Sequence, residues 1–192
     1  GGGGRRPPAG WASFPHAGWF IFRDGDEYLA IRAGGNGQAG WGGHAHNDAL
    51  SFEYAIGSRA FLVDPGTYAY TAAPEARNLF RSTAYHNTAR VDGQEISRIP
   101  SGELFRLENE VPVAVRVGSE SWEGEHFGYR RFGVTHRRRF EKQENGWLIR
   151  DMVTGAGEHE LEWFFHFAPE CQLKVEGSHV QTMFADGPNI RL

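Results

Sequence analysis

Cysteine is scarce in this sequence, since Cys171 is the single one among 192 residues. An internal disulfide is therefore excluded, and cysteine content does not indicate a redox compartment. No apolar run approaches the roughly eighteen residues that a membrane-spanning helix needs. A basic-then-apolar leader segment is also lacking. These absences predict a protein without a membrane partner.

Charge of one sign is equally scarce, because 20 lysines and arginines nearly balance 24 aspartates and glutamates. The formal net charge is -4. Proteins that attract nucleic acid over long distances carry a strong positive field, which this composition does not provide. We therefore expect no nucleic-acid partner.

Glycine and aromatic residues are abundant, at 26 residues and 14% respectively. Together with the recurring period-two alternation of apolar side chains, this composition favours short strands and tight turns over long helices. Residues 74–81 differ, because Pro74 near the start and Glu75 in the first turn predict a short helix. The sequence thus predicts an all-β fold, a sandwich of two antiparallel sheets with one short helix.

The chain divides into two parts by composition. Residues 1–17 begin with glycine, arginine and proline, which predicts a flexible linker. Residues 18–192 are predicted to form the sandwich domain, and we expect the whole to be a piece of a longer protein. The predicted strands cover residues 19–23, 28–33, 50–56, 60–63, 88–91, 111–117, 135–142, 147–153, 160–167, 172–175 and 179–184.

Titratable side chains concentrate in the segment 43–52, Gly-His-Ala-His-Asn-Asp-Ala-Leu-Ser-Phe. If this segment is an extended strand, His44, His46 and Asp48 share one face, because side chains alternate along a strand. Such a cluster costs desolvation and charge repulsion unless a metal ion or an anionic substrate compensates. The segment is therefore a candidate site.

A basic run, Arg137–Arg139, lies within one of the predicted strands. Alternation places Arg137 and Arg139 on one face and Arg138 on the other, so the positive charge is divided between two surfaces. We interpret the run as an ordinary solvated strand edge rather than a polyanion-binding patch.

Several blocks between about residues 40 and 95 follow one another in a distinctive order. They are Gly-His-Ala-His-Asn-Asp-Ala-Leu-Ser-Phe-Glu over 43–53, Phe-Leu-Val-Asp-Pro-Gly-Thr-Tyr over 61–68, Arg-Asn-Leu-Phe-Arg-Ser-Thr over 77–83, His-Asn-Thr over 86–88 and Val-Asp-Gly-Gln over 91–94. This series resembles the heparinase II/III-like family of polysaccharide lyases. The resemblance implies a C-terminal β-sandwich from a larger toroid-plus-sandwich enzyme, in which an N-terminal α/α toroid, absent from this chain, forms the other wall of the cleft.

The resemblance also implies that His46, Asp64 and His86 bind a zinc ion. Two neutral imidazoles and a carboxylate are a recognised zinc ligand set, with water or another side chain in the fourth position. The residues alone leave an alternative open, because ligands this far apart form no local metal motif. In that alternative, both histidines are merely hydrogen-bonded and Asp64 caps the turn that it begins.

The first histidine of the His-Ala-His motif, His44, is the candidate catalytic residue. The resemblance places it at the cleft, where it neutralises a uronate carboxylate or transfers a proton. β-Elimination removes a weakly acidic C5 proton and protonates the departing O4, and an imidazole that titrates near neutral pH suits either task. The alternative is a surface histidine on a loop edge.

Substrate-binding candidates lie on the predicted helix. Arg77 and Arg81 share a helix face, where their guanidinium groups could contact carboxylates or sulfates, and Asn78 lies beside them. The alternative is that these side chains are simply solvated. Asp48 is predicted to be a carboxylate that orients a histidine of the metal site.

The sequence supports three functional hypotheses. The first is the sandwich portion of a lyase that cleaves anionic, uronic-acid-containing polysaccharide. The second is a non-catalytic carbohydrate-binding domain with structural zinc. The third is a hydrolase or isomerase whose metal activates water, since three protein ligands leave a position open. By resemblance, we expect a periplasmic or secreted protein, and the sequence does not identify the polysaccharide.

Overall fold

The computed structural model describes residues 8–108 and 110–192. The strands are β1 Gly10–Phe14, β2 Trp19–Asp24, β3 Glu27–Arg32, β4 Ser51–Ile56, β5 Arg59–Leu62, β6 Ala89–Val91, β7 Val113–Val117, β8 Ser121–His126, β9 Thr135–Gln143, β10 Gly146–Thr154, β11 Leu161–Trp163, β12 Leu173–Glu176 and β13 His179–Thr182. The α-helix α1 covers Pro74–Phe80, as the sequence predicts. No helix in the described part is long and apolar enough to cross a membrane.

Two antiparallel sheets form the body of the domain. One has five strands in the order β1-β2-β3-β4-β5, and the other has four in the order β10-β9-β8-β7. Their facing side chains form one core, in which Phe20, Leu29 and Phe52 of the first sheet pack with Trp122 and Phe140 of the second. The predicted all-β sandwich is therefore confirmed. Two small sheets, β11-β6 and β12-β13, flank it.

Two strands, β1 and β8, are not predicted by the sequence. The linker prediction is wrong for Gly10–Phe14, because this segment pairs with β2 and its Trp11 ring packs 5.4 Å from Phe22. Residues 1–7 of the predicted linker lie outside the described residues. Strand β8 was missed because its buried positions hold Trp122, a glycine and a histidine rather than an apolar series.

The interpretation of Arg137–Arg139 as a solvated strand edge is also wrong for the middle residue, Arg138. Arg138 is fully buried, and its guanidinium forms an ion pair with Asp151, at 2.7 Å between Nε and Oδ1. The same carboxylate contacts Nε2 of His136 at 2.7 Å, and the other nitrogen of that ring lies 3.1 Å from Nε2 of His126. Strand alternation does orient Arg138 away from its neighbours, but toward the interior, where a carboxylate compensates its charge.

The buried histidine pair makes the stability of the domain depend on pH. Burial, with help from Arg138, lowers the pKa of both His126 and His136 below the ordinary value. The unfolded chain therefore takes up protons below about pH 6.5 that the folded chain refuses, so stability falls as pH falls through this range. We expect a lower urea midpoint at about pH 5.5 than at about pH 7.5. His126→Gln should make this fall of the urea midpoint at low pH smaller. An unchanged fall would contradict the assignment of the pH dependence to the buried histidine pair.

Candidate metal centre and cleft

The segment that contains His46 is a loop that leads into β4, so the predicted strand over residues 44–48 is wrong. Buried Asn47 holds this loop: its backbone N–H donates to the Arg81 carbonyl at 3.0 Å, and its Nδ2 donates to Glu95 Oε2 at 2.7 Å. The Asn47 amide also exchanges hydrogen bonds with the Ser97 backbone, at 2.9 and 2.8 Å. These bonds replace a strand ladder and fix the position of the neighbouring His46.

Asp64 and His86 reach the site from two other segments. Asp64 follows β5, and its Oδ1 accepts a hydrogen bond from the Gly66 backbone at 2.8 Å, which caps the turn. Its Oδ2 lies 2.7 Å from Nδ1 of His86, a fully buried residue that follows the short 3-10 helix Thr83–Tyr85. Asp64 thus caps a turn and also faces a histidine.

The three predicted metal ligands converge. One potential ligand atom each from His46, Asp64 and His86 lies within 4.8 Å of the others, and the two ring centroids are 5.2 Å apart. Nε2 of His86 is buried without a hydrogen-bond partner in the described part of the chain. Because buried polar atoms are normally satisfied, this orphan nitrogen indicates a missing partner. The donor set and the orphan atom fit a zinc ion.

His46 and Asp64 have the protonation states that zinc ligands require. Burial and the nearby His86 lower the pKa of His46 to about 4, so its imidazole is neutral at pH 7. Burial alone would raise the pKa of Asp64, but hydrogen bonds from the His86 side chain and the Gly66 backbone lower it below the ordinary value. A neutral imidazole and an ionised carboxylate are the forms that bind metal.

His44 lies outside this cluster and is exposed. Its ring has edge contacts with Tyr70 and Phe105, with centroids 6.0 and 5.8 Å away. His44, His46 and Asp48 line one cavity of about 490 Å³, so they share a cavity even though they are not on a strand. A cavity of this volume is in the range of small-ligand sites.

The structure corrects the prediction for Asp48. Its Oδ2 lies 3.7 Å from Nε of Arg32 in an ion pair. In the described residues Asp48 accepts no hydrogen bond from a histidine, so the predicted orienting role is not supported. The carboxylate acts on His46 only through its charge, which opposes the lowering of the histidine pKa.

The helix arginines are buried rather than directed at a ligand, with exposed fractions of 1% for Arg77 and 0% for Arg81. Arg77 donates to the Leu104 and Gly43 carbonyls, at 2.9 and 3.2 Å. The Arg81 guanidinium donates to two further carbonyls and, from Nε, to Asn78 Oδ1 at 2.9 Å. Their burial argues against the predicted substrate contact, and gives both a structural role instead. Substrate binding by half-buried Asn78 stays a prediction.

Sequence reasoning missed the residues that hold the ligands in place. Asn47, Asn87 and Glu95 are polar residues in loops, and their partners lie tens of residues away in the chain. For the two asparagines the sequence does contain a signal of this role, since Asn47 follows His46 and Asn87 follows His86. Polar loop residues next to a site frequently orient it through hydrogen bonds.

Comparison with known proteins identifies the family of this chain. The heparinase II/III-like, C-terminal, family model matches residues 6–192. No curated protein sequence gives a significant match. A solved heparinase III structure, the BT4657 gene product, is 23% identical with a TM-score of 0.78, and the match covers 98% of this chain and 29% of that one. The heparan sulfate lyase HepC from Pedobacter heparinus is 21% identical with a TM-score of 0.77, at the same coverages.

These structural likenesses show the fold, and this chain spans 29% of the length of either neighbour. Membership follows from the family model, which matches nearly the whole chain. The chain therefore belongs to the heparinase II/III-like family, whose C-terminal domain it represents.

Proposed function

We propose that this chain is the β-sandwich part of a polysaccharide lyase that cleaves uronic-acid-containing polysaccharide by β-elimination. The observation that carries the proposal is the shared cavity, which exposed His44 lines together with half-buried His46 of the candidate metal cluster. A binding module has no need of a free imidazole next to such a cluster, whereas elimination requires a proton carrier at the cleft. An N-terminal α/α toroid completes the cleft in this proposal, and the enzyme acts in the periplasm or outside the cell.

The role of His44 follows from the chemistry of elimination. Removing the C5 proton leaves negative charge on the uronate, and the departing O4 needs a proton. Because His44 is exposed, a nitrogen of its ring can contact a bound sugar. Edge contacts with Tyr70 and Phe105 restrict the orientation of the ring. We assign to this nitrogen either neutralisation of the uronate carboxylate or proton transfer to or from the substrate.

His46, Asp64 and His86 are proposed to hold a zinc ion. When bound, the ion supplies a cross-link between the three chain segments that carry its ligands. The residues themselves orient the cleft: the loop that carries His46 also carries His44, so fixing one imidazole restrains the other. In this proposal the metal supports the position of His44 and takes no direct part in the elimination.

Removal of zinc is expected to lower the thermal midpoint of the protein, because a metal that binds only the folded chain stabilises it. The measurement is a thermal scan before and after treatment with a chelator. His86→Ala is the matched control, since it removes a ligand and should abolish the response to the chelator. A wild-type midpoint that the chelator leaves unchanged would contradict the metal assignment.

The lyase activity itself is tested with the enzyme that carries this domain. We expect the ultraviolet absorbance of an unsaturated uronate to appear with a uronate-containing polysaccharide, and not with a neutral one. Heparan sulfate is the first substrate to test, because one structural neighbour is a heparan sulfate lyase. Cleavage to saturated products would identify a hydrolase, and binding without cleavage would identify a carbohydrate-binding domain; both would refute the proposal.

A further inference from the structure

Arg138 lies on the inner face of β9 and is fully buried. Its Nε donates to Oδ1 of Asp151 at 2.7 Å, and its Nη2 donates to Oδ2 at 2.9 Å. Trp163 Nε1 donates to the same carboxylate at 2.9 Å. A bidentate pair of this kind fixes the plane and the position of the guanidinium group.

The remaining nitrogen of this guanidinium group joins two segments of the candidate site. Nη1 of Arg138 donates to the Leu50 carbonyl at 3.0 Å and to the Asn87 carbonyl at 2.6 Å. Leu50 ends the loop that carries His46, and Asn87 directly follows His86. The two carbonyls are therefore held together by one nitrogen atom, close in sequence to two of the predicted ligands.

The backbone at Leu50 needs such support. Its φ angle is 61°, in the left-handed region that a leucine rarely adopts. A residue in this conformation persists only when its surroundings hold it there. The hydrogen bond from Arg138 to its carbonyl, and burial of the leucine side chain in the core, both do so.

The third ligand is reached through the side chain of Asn87. Its Nδ2 donates to the Val63 carbonyl at 3.1 Å, and Val63 immediately precedes Asp64. The same nitrogen donates to the Phe52 carbonyl at 2.8 Å in β4. Hydrogen bonds thus connect Asp151, through Arg138 and Asn87, to the backbone next to Asp64 and His86 and to Leu50, in the loop that carries His46.

We propose that Arg138 is a positioning residue for the His46, Asp64 and His86 cluster, with Asp151 holding its guanidinium group in place. The proposal rests on the metal-binding part of the proposed function. A buried ion pair is weak support for stability, because apolar residues of similar volume commonly serve as well. Arginine is suited to the task because its planar fork can bind one carboxylate and two carbonyls at once.

The test compares zinc dissociation constants of the wild type and Arg138→Lys. Lysine keeps the positive charge opposite Asp151, but its single ammonium group cannot reproduce the fork. We expect the dissociation constant to rise about tenfold, the lower end of the range for residues that orient metal ligands. Arg139→Lys is the matched control on the same strand, because that side chain is solvent-exposed and pairs on the surface. It should change zinc affinity little.

A second control separates positioning from general destabilisation. Phe22→Leu weakens the core at β2, where the Phe22 ring contacts Trp11 and Trp147 and no cluster residue. If zinc affinity simply follows stability, this variant will weaken zinc binding as much as Arg138→Lys does. That result would overturn the proposal, as would an Arg138→Lys dissociation constant equal to that of the wild type.

Amide hydrogen exchange without zinc provides a readout that does not depend on the metal. We expect Arg138→Lys to accelerate exchange in residues 44–50 and 86–88, and not in the β12-β13 hairpin. If wild-type protein binds no zinc but shows this pattern, the metal assignment fails and the positioning role stands. Unchanged exchange in both segments refutes the positioning role. If Arg138→Lys does not fold, the pair Arg138→Gln with Asp151→Asn, which removes both charges together, takes its place with the same expectations.

Discussion

In the enzyme that carries this domain, His44→Ala is expected to lower turnover by about 10²–10⁴-fold, the range associated with loss of a general acid or base. The folded structure should tolerate the change, because His44 is exposed and its described contacts are ring edges with Tyr70 and Phe105. The measurement combines kcat with the thermal midpoint of the variant. A large fall in kcat at an unchanged midpoint assigns the imidazole to the reaction.

The matched control is His16→Ala. His16 is also exposed and lines the same cavity, but it lies outside the His-Ala-His loop. We expect this variant to keep most of the wild-type turnover. Equal losses of turnover in the two variants would show that removing any histidine from the cavity lowers activity. Unchanged turnover of His44→Ala would contradict the catalytic role assigned to His44.

The second large effect is on stability. Asp151→Asn is expected to lower the free energy of unfolding by about 3–5 kcal/mol, because it leaves the charge of Arg138 buried without its counterion. Burial would raise the pKa of Asp151, but His136 and Arg138 lower it below the ordinary value, so the carboxylate is ionised in the folded state. Urea unfolding at neutral pH provides the measurement.

A surface pair gives the scale for this effect. Oε2 of Glu123 lies 3.8 Å from Nη1 of Arg139 on the exposed side of the sheet. Glu123→Gln should therefore lower the free energy of unfolding by about 1 kcal/mol or less. The two carboxylates thus differ in burial while both pair with arginines of β9. If Asp151→Asn lowers the free energy of unfolding no more than Glu123→Gln does, the buried Arg138–Asp151 pair does not have the stabilising role assigned to it.

Local signals in the sequence were sufficient for the hairpins and the helix. The turn at Asp24–Asp26 between alternating segments predicts the β2-β3 hairpin, and Pro74 and Glu75 predict the start of α1. These features depend on a few neighbouring residues, so the sequence specifies them directly. Strand β1 has no such signal, because it is held by rings of distant strands, such as that of Trp147.

The candidate site depends on contacts that no local pattern contains. His46, Asp64 and His86 come from three loops, and they meet because β4 and β5 return the chain to the starting loop. Spacing alone does not predict that the three residues meet, whereas the family resemblance does. The shared orientation of His44, His46 and Asp48 was predicted for the wrong reason, since a loop, not a strand, turns them toward one cavity.

Arginines were the least predictable residues. Arg77, Arg81 and Arg138 look like surface charges in the sequence, yet all are buried. Most of their partners are backbone carbonyls far away in the chain, which the sequence does not identify. Burying a guanidinium group is possible because its donors are satisfied one by one in the folded chain.

Zinc content is the most direct test of the proposal that His46, Asp64 and His86 form a metal centre. Elemental analysis of protein purified with zinc present and without a chelator should find about one zinc per chain, and almost none in His86→Ala. Less than about a tenth of an equivalent in the wild type would contradict the metal centre.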